Sequence, residues 1–199
     1  MNGKFTVIKI KMAQDEAQKI IDAIYYGTRA AAQHMYKFYR STYDEEAGVY
    51  TDYSQNDPAR TWANVNFQEL CANAILDVQW SEQENDPVYV TFLNMSIGAV
   101  VQLLWCISSN EDLQRSIWKS RAQGDWESDG HYGNQSKQDF IKERIHQCWM
   151  DRKQGLKIAN LLQDEYSKNH ERLEGLLIVG KTPRDIRKQL VGSEHWRTK

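Results

Sequence analysis

Lys4 to Met12 alternates, with Thr6, Ile8, Ile10 and Met12 on one side and Phe5, Val7, Lys9 and Lys11 on the other, the period of a short half-buried strand. From Asp15 to about Tyr43 the period lengthens. Ile20, Ile24, Ala31, Met35 and Phe38 recur at helical spacing behind an acidic first turn, which predicts one long helix of about 40 Å. Tyr25, Tyr36, Tyr39 and Tyr43 lie beside that stripe and give the helix a second, aromatic face for packing within the fold or on a partner.

An acidic, turn-rich connection follows over residues 44–58, and Asp57 with Pro58 can cap and open the next helix. Phe67, Leu70, Cys71, Ala74, Ile75 and Val78 then form a wide apolar stripe at helical spacing, with Asn66 and Glu69 as a capping pair. That pattern predicts a helix through Val78, with Cys71 as a small buried hydrophobe.

Val88 to Ile107 contains no charged residue. A run of that length is weighed as a membrane span, but it is flanked by acids on both sides, lacks an adjacent cation to orient insertion and contains Asn94, Ser96 and Gln102. It reads instead as a buried central helix preceded by a strand, Val88 to Phe92, able to pair with the N-terminal strand. Ser109 is expected to cap a helix carrying Leu113, Ile117 and Trp118 that stops near Gly124. Residues 123–135 then read as a loop, and Ser136 with Asp139 opens a last long helix that continues past Gly155 to Tyr166, with a bend at that glycine. The whole predicts a mainly α fold: a compact bundle of about six helices with a short N-terminal strand and, at most, a minor two-stranded sheet. Residues 1–199 form one helical domain, from which 180–199 can be set apart as a basic C-terminal appendage.

Composition agrees with a globular chain: of 199 residues, 41% are hydrophobic and 26% charged, with 11 Gly and 3 Pro. Three widely spaced cysteines, with no signal peptide ahead of them, suggest a reducing cytoplasm rather than a disulfide framework. The net charge of −2 hides a polarised distribution, +4 over residues 1–43, −11 over 44–135, +1 over 136–179 and +4 over 180–199. An acidic middle argues against a surface built mainly for duplex DNA and leaves room for a local basic contact at either end.

No phosphate-binding loop, dinucleotide fingerprint, nucleophile elbow or paired-carboxylate signature is present, and no cofactor is implied. His146 has no companion at metal-ligand spacing, so no metal site is expected. Asp125, Glu127 and Asp129 alternate like oxygen donors in a calcium loop but lack the twelve-residue register and its closing Glu. Seven Trp and ten Tyr exceed the needs of a helical core of this size, and both types are enriched at interfaces. The leading expectation is therefore a non-enzymatic cytoplasmic binding protein, an inhibitor, adaptor or assembly factor. Its protein partner would be met by the 123–135 loop through Trp126, Tyr132, Asp125, Glu127 and Asp129. The oligomeric state is left open, a dimer included.

Two patterns carry alternatives. Arg29 and His34, separated by four residues, resemble the Arg-x4–6-His motif of HEPN-fold ribonucleases. The resemblance implies a helical ribonuclease in which Arg29 favours the phosphate and His34 transfers protons. The basic segment from Gly180 to Leu190, followed by Ser193-Glu194-His195-Trp196-Arg197-Thr198, is similar in rhythm to the helix-turn-helix of LuxR-type regulators, one residue shorter between His195 and Arg197. That resemblance implies a nucleic-acid-binding regulator contacting its target through Lys181, Arg184, Arg187, Lys188, His195 and Arg197.

Overall fold

The computed structural model describes residues 7–38, 42–44, 49–51, 67–83, 85–128 and 135–169, together with Arg184 and Arg187. Within them the protein is mainly helical, with a small antiparallel sheet. Strand β1 (Val7–Met12) alternates as its sequence does, burying Ile8, Ile10 and Met12 and exposing Val7, Lys9 and Lys11. The helix that follows runs from Gln14 to Phe38. It comprises α1 (Gln14–Asp22), a wider π-type segment (Ala23–Gly27) and α2 (Thr28–Phe38). It is shorter than its apolar stripe suggests, because Thr42–Asp44 is extended as β2 and pairs antiparallel with β3 (Val49–Thr51).

Residues 67–72 form helix α3, which stops there. The predicted continuation through Val78 is a strand instead, β4 (Ile75–Gln79), paired with β5 (Val88–Leu93) across an irregularity between Ile75 and Asp77. Ala74 is already committed to the sheet, since its carbonyl accepts from the Leu93 N–H at 2.8 Å. The expected pairing of β5 with the N-terminal strand is present, Ile10 opposite Val90 and Met12 opposite Val88, so the sheet has the order β1-β5-β4 and three strands rather than two.

A single 3₁₀ turn (Asn94–Ser96) leads from β5 into α4 (Ile97–Ser108), the uncharged central helix. Ile97, Val100, Leu103, Leu104 and Ile107 are fully buried along it, each worth about 1.5–3 kcal/mol on removal from water. Two glycines permit close packing around α4. A Cβ on Gly27 would lie 2.5 Å from Ile107 Cδ1, and one on Gly155 would lie 2.3 Å from Ser108 Cβ.

Helix α5 (Glu111–Ser128) is capped one residue later than expected, by Asn110, whose Oδ1 accepts from the Leu113 N–H at 2.8 Å. It passes through Gly124 without a break. Ser136 caps α6 (Lys137–Cys148) as its sequence indicates, accepting from the Asp139 N–H at 3.2 Å. The single long helix expected here is two, because the chain turns extended at Trp149 and restarts as α7 (Arg152–Asn169), with Asp151 Oδ1 receiving the Gln154 N–H at 2.8 Å. Gly155 therefore lies in the first turn of a new helix and marks a close approach to α4. Among the described residues no helix is long and apolar enough to cross a membrane.

Candidate interaction surface

The residues expected to meet a partner from a loop are largely engaged within the fold. Asp125, Trp126 and Glu127 belong to the last turns of α5 rather than to a loop. Asp125 Oδ2 accepts from Arg144 Nε at 2.8 Å and lies 3.5 Å from Arg121 Nε, so this carboxylate bridges α5 and α6 and is not presented outward. The half-buried indole of Trp126 sits against Phe140, ring centroids 5.4 Å apart, and Glu127 faces Lys137 at 3.6 Å. Asp129 and Tyr132 lie outside the described residues. No group of three or more potential metal-ligating side chains assembles among the described residues.

The ribonuclease-like pair sits on α2. Five positions of helix turn Arg29 and His34 about 140° apart around its axis, so they do not share one face. Arg29 is exposed, while His34 is half-buried with its Nε2 3.1 Å from Asn110 Nδ2. Of the basic C-terminal set, Arg184 is exposed and Arg187 is buried, its pKa lowered by that burial. A buried guanidinium is not presented to a phosphate. Lys181, Lys188, His195 and Arg197 lie outside the described residues.

A buried polar cluster that the sequence reading missed joins the π-type segment to α5 and α6. Arg121 Nη1 donates to Asp22 Oδ2 and, at 3.2 Å, to Cys148 Sγ, and the guanidinium lies 4.9 Å from the centre of the Tyr26 ring. Gln18 Nε2 donates to the other Asp22 oxygen at 2.9 Å. Burial raises the pKa of both Cys148 and Tyr26, and the neighbouring Arg121 only partly offsets it. Both groups are therefore neutral at physiological pH, and the cluster supplies no thiolate. Its carboxylates and guanidinium groups are matched, which suits a clamp between helices. The legible signal was the Arg121–Asp125 spacing of one helical turn; Asp22, 99 positions from Arg121, carried none.

Large exposed side chains gather elsewhere. The sheet packs its inner face on the core; on its outer face Val7 is 44% and Tyr89 39% exposed while Leu93, opposite Val7, is buried, and Trp80, 49% exposed, directly follows β4. The strand register places Tyr89 between Lys11 and Gln79, and Thr91 between Lys9 and Asp77. Lys9 Nζ reaches across β5 to Gln79 Oε1 at 2.7 Å and lies 4.9 Å from the centre of the Tyr89 ring, which props the tyrosine ring and holds the lysine over it. Gln14 pins the β4–β5 connection by donating to the Gln83 carbonyl at 2.7 Å, so Trp80 extends from an anchored hairpin. The sequence held half of this signal, the outward lysines of β1. Trp80 was hidden because β4 reads as helix. Comparison with protein-family models, with curated proteins and with solved structures returns no match.

Proposed function

We propose that this chain is a binding module that docks a protein through the Tyr89 side of its sheet and the adjoining Trp80, acting as an inhibitor, adaptor or assembly factor. The observation that carries the reading is the outward row of Lys11, Tyr89 and Gln79 beside Lys9 and Asp77 on the outer sheet face, with the exposed Trp80 directly after Gln79. Tyrosine and tryptophan anchors in a polar surround are the composition of interface hot spots. Mixed charge favours a protein partner, because Asp77 and the nearby Glu82 and Asp86 would repel a phosphate backbone. Three unpaired cysteines, two of them buried, suit a reducing cytoplasm.

A nucleic-acid reading retains one specific support, the placing of Tyr89 beside Lys9 and Lys11, since single strands are held by stacking and cations together. Capture with full-length protein distinguishes the two. Trp80→Ala and Tyr89→Ala leave the core untouched and each should weaken partner retention by about 2 kcal/mol, roughly thirtyfold. Trp126→Ala tests the original loop placement beside them. Retention unchanged by the two sheet-face variants refutes the docking face. Recovery of single-stranded nucleic acid that is lost steeply with salt selects the second reading.

A further inference from the structure

Strand β1 is the outer strand of the order β1-β5-β4, so one of its two backbone edges is paired and the other is not. Among the described residues, β5 alone hydrogen-bonds to its main chain. An unpaired edge is a template for another strand, and proteins blunt such edges with a bulge, a proline or charge. At the opposite side of the sheet this is done by shape, since β4 is broken by an irregularity between Ile75 and Asp77. The register of β1 runs without interruption through all six residues from Val7 to Met12, about 20 Å of regular strand.

The β1 edge carries two cations instead. Lys9 and Lys11 both point to the outer face. Lys9 Nζ gives one of its protons to Gln79 Oε1, a neutral acceptor, and among the described residues neither lysine forms an ion pair. Asp77 shares a row with Lys9 but stands on the far strand, beyond Thr91. In a chain whose net charge is −2, these lysines are a local feature and not part of a general basicity.

Cross-strand pairing rules decide which strand fits. Residues opposed in neighbouring strands share a face, and opposite charges there stabilise while like charges destabilise. Antiparallel pairing of β1 with a second β1 sets lysine against lysine in every register centred on Lys9, Ile10 or Lys11, so the edge resists its own copy. A strand with acids at alternate positions compensates both lysines at once. Its intervening side chains then fall beside Ile8, Ile10 and Met12, on the side of the core, where apolar groups fit.

We propose that the free edge of β1 receives an extended segment of a protein partner in which acidic and apolar residues alternate, added as a further strand with its acids against Lys9 and Lys11. Main-chain hydrogen bonds supply the attachment and the alternating side chains the selectivity. The inference rests on the reading of the chain as a protein-docking module and gives the partner its chemistry; Lys11, paired with Tyr89, joins the edge to the docking side of the sheet.

The test uses the full chain and a fluorescein-labelled peptide of alternating glutamate and valine, about eight residues long so as to span β1. Beside it stand the lysine and valine counterpart and two N-methylated forms of the first, one methylated at every glutamate amide and one at every valine amide. Fluorescence anisotropy should show binding of the glutamate peptide that weakens with salt, and binding of the lysine peptide about tenfold or more weaker. One N-methylated form should lose binding, because only alternate amides of a strand face its neighbour. Amide exchange at alternate residues of β1 should slow in the complex. Lys9→Glu with Lys11→Glu should reverse the ranking of the two peptides, which only a folded strand can do, and Lys9→Gln with Lys11→Gln should bind both alike. Equal binding of the two peptides by the parent, binding of neither, or full binding of both N-methylated forms overturns the inference. Trp80→Ala, off the edge, should bind the peptide as the parent does, which upholds the edge even where partner capture has refuted the Tyr89 side. Capture that depends on Trp80 and Tyr89, with β1 exchange unchanged by the peptide, overturns the edge and leaves the docking face standing.

Discussion

Gln114 is a side chain doing the work of a backbone. It is buried on α5, donates through Nε2 to the Met150 carbonyl at 2.7 Å and accepts through Oε1 from the Met150 N–H at 3.0 Å. Trp118 Nε1 approaches the same oxygen at 3.4 Å. Met150 is the residue at which α6 and α7 part, and it too is buried. Replacing Gln114 by Met keeps length and volume but strands a buried donor and a buried acceptor. Each unsatisfied group costs about 1–3 kcal/mol, so the change should destabilise the protein by roughly 4 kcal/mol. For a chain of this size that corresponds to a fall in Tm of about 10 °C. Urea and thermal unfolding followed by circular dichroism would measure it, with exposed Gln163→Ala as a control expected within about 0.5 kcal/mol of the parent. A Gln114→Met protein as stable as the parent would show that the α6–α7 break does not depend on this amide.

Two further outcomes follow from buried groups. Arg121→Met should cost about 3–5 kcal/mol by leaving the Asp22 carboxylate buried without its cation, and the double variant Asp22→Leu with Arg121→Met should recover most of that loss in the same unfolding assay; no recovery would mean the cation packs rather than pairs. Burial pushes the Cys71 thiol from an ordinary value near 9 up to about 12. Its neutral form is thus the native one, and the unfolded chain ionises first as pH rises. Stability should be fully present below pH 9 and fall by about 1.4 kcal/mol per unit between 9 and about 12. Urea midpoints taken across that range should decline less steeply for Cys71→Ala, and parallel slopes would reject the assignment.

Sequence alone determined those elements whose cause lies within a few residues. The alternation of β1, the strand character of Val88 to Phe92, the uncharged α4 and the Ser136 cap of α6 are each local, and each stands in the structure as read. Contacts distant in the chain decided the rest. Phe67 to Val78 satisfies helical spacing, yet from Ala74 onward backbone pairing with β5 outweighs it. The helix expected to run from Ser136 to Tyr166 is divided because Gln114, 36 positions away, satisfies the backbone at Met150. The α5 helix continues through Gly124 because Asp125 pairs with Arg144 and Trp126 packs on Phe140, contacts from the next helix that hold its last turn. The proposed docking face differs from the sequence reading for the same reason. Periodicity reports which residues a single element can bury, but which aromatic side chains remain outside is settled only when the elements pack. Trp126 was drawn inward, and Trp80, Tyr89 and Trp105 were left on the surface.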